Sequence, residues 1–205
     1  PNGCATVETV PAPGTKPLDL TLCTAGECRT LEADISPIPS TTNYSVTSIP
    51  YCPRVFPDPS AGFTPINVPN ADDQWSETVP LPFEFCFYGQ NYNQCWIGTN
   101  GLISFDTQTQ GNFCDWPNTN VGINNGNAGF NQKNAIFGVF QDTDFRTPLA
   151  SPADRSVSYK IEGSYPCRKL IVNFYHLGQW SCNQNVGLQT SQVILYEISN
   201  IIEVF

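Results

Sequence analysis

The chain predicts an all-β fold, an antiparallel sandwich or curled sheet preceded by a small β-hairpin module. Three observations carry that expectation. Short runs of alternating apolar and polar residues recur along the chain, the two-residue period of half-buried strands. Eighteen Pro and 15 Gly among 205 residues interrupt those runs before a long helix could form. Asn and Gln together number 30 against 27 charged residues, so the i,i+4 ion pairs that support exposed helices are scarce.

The elements follow in order. Leu18, Leu20 and Leu22 alternate with Asp19 and Thr21, Cys23 to Cys28 supplies a turn, and Leu31, Ala33 and Ile35 alternate again beyond it. This reads as a hairpin. Asn43 to Ile49 reads as a third strand, and the Pro-rich stretch from Pro50 to Pro59 as an extended linker. The expected division is therefore a Cys-bracketed module with its linker over residues 1–58 and a larger β domain over 59–205. In the larger part Phe83, Phe85 and Phe87 share one face, and Gly89-Gln90-Asn91 turns the chain into Cys95-Trp96-Ile97. Leu102 to Phe105 follows the turn Thr99-Asn100-Gly101. A loop crowded with Asn, Gly and Gln spans 107–133, before the apolar run Ala135 to Phe140. Ser156 to Ile161, Leu170 to Tyr175, Val193 to Tyr196 and Ile201 to Phe205 complete the set.

Composition excludes whole classes. A net charge of −9, from 9 basic and 18 acidic residues, is the wrong sign for a nucleic-acid binder or a polybasic membrane-surface protein. No apolar run approaches the ~18 residues of a membrane span. The chain holds nine Cys and one His, which argues for disulfides in an oxidising, extracytoplasmic compartment rather than zinc sites. Hairpin placement suggests Cys23–Cys28 and Cys86–Cys95, the latter centred on Gln90-Asn91; the remaining connectivity is not deducible. An odd cysteine, a start at Pro1 and an end inside the alternating Ile201 to Phe205 together read as a piece of a longer polypeptide, incomplete at its C-terminus. Cys182 is the expected cysteine with a downstream partner, and a chain ending at Phe205 is not expected to fold robustly alone.

Leu81-Pro82-Phe83-Glu84-Phe85-Cys86-Phe87-Tyr88-Gly89, followed by Ile97-Gly98-Thr99-Asn100-Gly101-Leu102-Ile103-Ser104-Phe105, resembles the start of nidogen-like domains: a strand, a Thr-Asn-Gly turn and a strand ending Ser-Phe. Asn134 to Asp144 resembles the same family's apolar strand running into Asp-x-Asp. Tyr44 to Tyr51, Asp72 to Ser76, Thr190 to Glu197 and Asn200 to Val204 are similar to elements of large, adhesin-like surface proteins of gliding Bacteroidota exported by the type IX secretion system. The resemblance implies an extracellular, cell-surface domain linked to adhesion or gliding motility. Its implied partners are the export machinery during secretion and surface glycans or proteins afterwards. A glycan-binding accessory domain of a secreted polysaccharide hydrolase is the alternative.

The chemistry-bearing residues are few. His176 is the only histidine, so any Ser-His-Asp or Cys-His mechanism must use it, and no Gly-x-Ser-x-Gly elbow accompanies it. It reads as a packed or surface residue at a strand end, and the chain as no enzyme. Asp142 and Asp144 leave a strand at i, i+2, and Asp72 and Asp73 lie among amides, so both pairs are oxygen-ligand candidates for Ca²⁺. Neither completes an Asp-x-Asp-x-Asp-Gly cage, so loop capping is the expected role, no cofactor is required, and a chelator should leave melting unchanged. Trp96, Trp116 and Trp180 are candidate sugar-stacking rings, with core filling as the expected role of each. Asn43-Tyr44-Ser45 is the one N-glycosylation sequon.

Overall fold

The computed structural model describes residues 5–7, 20–22, 41–54, 56, 62–69, 72–116, 132–144, 155–180 and 188–205. The chain divides into two compact units, Pro1–Ile35 and Ser36–Phe205. In the first, β1 (Ala5–Val7) pairs antiparallel with β2 (Leu20–Leu22), Ala5 opposite Leu22. The strand expected at Leu18–Leu22 is present in its second half, but its partner is Ala5–Val7. Residues 31–35 and the proposed Cys23–Cys28 pair lie outside the described residues.

The second unit is all-β and antiparallel, with no helix among the described residues. One sheet has the order β4 (Val79–Phe87), β5 (Gln90–Gly98), β6 (Leu102–Ser104) and β7 (Ala135–Phe137). The other runs β12 (Ile202–Val204), β11 (Leu188–Tyr196), β10 (Lys169–Gln179), β9 (Ser156–Glu162) and β3 (Thr64–Pro65), with β8 (Thr143–Asp144) paired to the end of β10. Neither sheet closes into a barrel, which fits the sandwich or curled sheet that the alternation predicts.

β4 shows why the sequence folds this way. Val79, Leu81, Phe83, Phe85 and Phe87 are buried, while Pro80, Pro82 and Glu84 are exposed. Two prolines, which lack an N–H, are tolerated because β4 is an edge strand. The register shift between Pro80 and Phe85 falls where that donor is missing. The five inward side chains meet Val157, Leu170, Val172, Phe174, Val193 and Leu195 from the opposite sheet, forming the main core. Phe85 stacks on Phe105 at 5.6 Å between ring centroids. A smaller cluster of Trp75, Trp96, Leu102 and Cys114 fills the other side of β5 and β6.

The turn between β4 and β5 corrects the expected Cys86–Cys95 disulfide. Tyr88 (φ 46) and Gly89 (φ 81) both take the left-handed region, which makes a two-residue hairpin loop. The hairpin therefore pivots two residues earlier than the Gln90-Asn91 centre, and a shift of two at the turn moves a cross-strand partner by four. Cys86 lies opposite Asn91 and Cys95 opposite Val79, and both are free thiols. Cys86 Sγ accepts the Thr41 N–H at 3.1 Å, and Cys95 is wholly buried in the main core.

The compact units divide at residue 35/36, ahead of the 58/59 boundary read from the Pro-rich linker, and residues on both sides of the expected third strand are tied to the second unit. The Thr41 carbonyl accepts the Gly89 N–H, and the Arg54 N–H donates to Gln192 Oε1 at 2.8 Å. The strand expected at Asn43–Ile49 is absent: the segment has no regular secondary structure and lies outside both sheets.

Candidate functional site

Three loops converge beside the Thr99-Asn100-Gly101 turn between β5 and β6. Gly101 (φ 85) lies so close to the Val139 carbonyl that a Cβ would collide with it. Asn100, buried to 0% exposure, then acts as a hub. Its Nδ2 donates to Asp73 Oδ1 (2.7 Å) and to the Cys114 carbonyl (2.8 Å), and its Oδ1 accepts the Thr143 N–H (2.8 Å). The Thr143 hydroxyl donates to the Thr99 carbonyl at 2.6 Å, and Gln74 and Thr99 exchange backbone and side-chain bonds. One buried amide thus fastens the Asp72–Asp73 loop to the segment running into β8.

The result is an acidic corner. A carboxylate oxygen from each of Asp72, Asp73 and Asp142 lies within 4.8 Å of the other two. Of the four aspartates the sequence nominates as ligands, these three come together. Asp144, 3% exposed, sits alongside, with its backbone bridged to Asp72 and paired to Gly178. Asp73 takes a left-handed φ of 50°, and its Oδ2 accepts the indole N–H of Trp116 at 3.2 Å. Asp142 Oδ1 is buried with no hydrogen-bond partner. Burial first, then the charges of Asp73, Asp72 and Asp144, push the Asp142 carboxyl up to about 6.

Two ligands of one Ca²⁺ stand at most about 5 Å apart, given metal–oxygen distances of ~2.3–2.6 Å. The three carboxylates satisfy that limit, and an all-oxygen donor set suits a hard cation. Three side chains leave the remaining coordination positions to backbone carbonyls or water.

Two tryptophans border the corner. Trp116, 39% exposed, is held by Asp73; Trp180, 47% exposed, donates its backbone N–H to the Asp142 carbonyl at 3.0 Å. Trp96, the third candidate ring, is 4% exposed and belongs to the small core cluster. Along the chain Thr99-Asn100-Gly101 reads only as a turn; Asn100 as the organising residue emerges from the contacts of segments far apart in the chain. His176 lies at the β10 bulge with φ 53°, stacked on Tyr175 at 3.8 Å, and its backbone N–H bonds to Thr190 Oγ1. It is half-buried, and it lies within β10 rather than at the strand end expected of it. Asn43 and Ser45 of the sequon are both exposed.

Against known families, residues 53–205 match the family described as NIDO related. The match covers well over half of the chain, and the protein belongs to this nidogen-related family. Domains of this family are typically extracellular, and no helix among the described residues is long and apolar enough to cross a membrane. No curated protein and no solved structure gives a significant match.

Proposed function

We infer that the chain is a non-catalytic extracellular module that presents a Ca²⁺-dependent, glycan-contacting corner formed by Asp72, Asp73 and Asp142 beside Trp116 and Trp180. The observation that carries this reading is the convergence of three carboxylates beside two half-exposed tryptophans, Trp116 bonded through its indole to Asp73 and Trp180 through its backbone N–H to the Asp142 carbonyl. Aromatic faces pack on the apolar faces of sugar rings, while carboxylates and a bound cation take hydroxyl groups. A non-catalytic role is supported by Asp73, whose two oxygens are both committed, to Asn100 and Trp116. Its setting is an adhesin-like cell-surface protein exported by the type IX system, a placement supported by the resemblance of Tyr44 to Tyr51 and Thr190 to Val204 to such proteins. The same corner would equally serve a glycan-binding accessory domain of a secreted hydrolase.

Calorimetric titration with CaCl₂ tests the site directly. Saturable binding that Asp142→Asn abolishes is the expected result, together with a melting temperature lowered by EDTA. A cation at 100 times its Kd stabilises the folded state by about 2.7 kcal/mol. An EDTA-insensitive melt and no heat of binding would return the aspartates to loop capping. A glycan array probed with and without Ca²⁺, using Trp116→Ala and Trp180→Ala as controls, then tests the ligand class.

A further inference from the structure

A segment ahead of the first sheet crosses the second unit without joining either sheet, and both its ends are fixed. At one end the Thr41 N–H bonds to Cys86 Sγ, the Tyr44 hydroxyl donates to the Cys86 carbonyl at 3.1 Å, and the Tyr44 ring packs on Phe87. At the other, Arg54 exchanges two hydrogen bonds with the Gln192 side chain, at 2.8 and 3.2 Å. Residues 45–50 between these anchors are exposed, Val46 by 98%. Their sequence, Ser-Val-Thr-Ser-Ile-Pro, is nonetheless rich in β-branched residues.

This segment forms one wall of an open groove of about 700 Å³, whose other walls include Ile136 and Phe137 of β7 and Ile202 and Val204 of β12. β12 is the last strand of its sheet. Gln192 and Phe205 exchange both backbone hydrogen bonds, and Tyr196 N–H donates to the Ile201 carbonyl. Antiparallel alternation then turns the N–H and C=O of Ile202 and Val204 away from β11, toward the outer edge. No strand among the described residues pairs with that edge. Among the described residues, an unpaired half-ladder and an unpaired segment rich in β-branched residues therefore border the same apolar groove.

We propose that residues 45–49 are a strap that closes into this groove and pairs with β12, so that the domain alternates between an edge-exposed and an edge-covered state. Tyr44 and Val46 share a face by the two-residue period, so closure carries Val46 inward beside Tyr44, over Ile136 and Phe137. The closed strap withdraws the β12 edge from pairing with other chains, and the open strap leaves it available to a partner strand.

Amide exchange by NMR on the full chain tests this. The Ile202 and Val204 amides should exchange about tenfold or more slower than in an unstructured peptide, the protection given by a strap closed about 90% of the time. Val46→Asp should abolish that protection and leave β10 and β11 unchanged, whereas Val46→Ile should keep it. Peptide-like rates at Ile202 and Val204 in the unmodified chain would overturn the proposal, as would protection that survives Val46→Asp. Loss of β10–β11 protection in Val46→Asp would also overturn it, by showing the segment to be part of the core.

Discussion

Asn100 and Asp142 show how much a single side chain decides here. Asn100→Ala removes the acceptor of the Thr143 N–H and the donor to Asp73 and the Cys114 carbonyl, all inside the fold. Leaving the two fully buried groups, the Thr143 N–H and the Cys114 carbonyl, unpaired costs about 1–3 kcal/mol each, so a loss of roughly 2–6 kcal/mol is expected in denaturant unfolding. The same variant should lose Ca²⁺ binding before it loses the β10–β11 core, because the amide ties together the two loops that carry the aspartates. Asp142 titrates in the opposite sense to most folded-state carboxylates. Its folded pKa of about 6 lies above the ordinary aspartate value of 3.8, so the folded state holds the proton more tightly. Its stabilising contribution is present below pH 3.8 and is lost as pH rises through about 6. Without divalent cation the melting temperature should fall over that window. Added Ca²⁺ should flatten the fall, and Asp142→Asn should remove it.

At the scale of elements, the open end of the β10–β11 hairpin is fastened by a clamp. Arg168 Nε donates to Glu197 Oε2 at 2.8 Å, the Arg168 N–H donates to the same oxygen at 3.0 Å, and Glu197 N–H returns a bond to the Arg168 carbonyl. The guanidinium holds the Glu197 carboxyl below its ordinary range. For a depressed carboxylate the contribution is present above its unfolded pKa and lost as pH falls through the folded value. Arg168→Ala should therefore destabilise the domain near pH 7 and progressively less in acid, a trend that denaturant midpoints at several pH values will read. The β4–β5 hairpin illustrates the same scale in sequence terms. Its strands were legible from alternation, but its register depended on whether the turn sits at Tyr88-Gly89 or two residues later. The left-handed Tyr88 settles that, and a tyrosine carries no sequence signal for it.

At the scale of the whole second unit, the main core joins its two sheets, and Phe85 is buried in it at 0% exposure. Phe85→Ala should cost about 3–5 kcal/mol in equilibrium unfolding, since the stack with Phe105 holds a rigid gap open. The cysteines sort by depth in the same architecture. Cys52 and Cys167 are exposed; Cys95 and Cys114 are buried, and burial pushes the Cys95 thiol up to about 12 and the Cys114 thiol up as well. Alkylation of the native protein at pH 8 should modify Cys52 and Cys167 at once and reach Cys95 and Cys114 only after unfolding, as peptide mass mapping will show. The all-β class, the strands of the main core and the four candidate aspartates are legible along the chain. Strand alternation and acidic side chains are local properties, written residue by residue. Which aspartates meet, which tryptophans stay exposed and which cysteines are apart was decided only by the tertiary structure. Each depends on hydrogen bonds and registers between segments far apart in the chain: Asn100 with Asp73 and Thr143, Cys86 with Thr41, β8 with the end of β10. No local pattern encodes such long-range pairings, because their energy exists only once both sheets are in place.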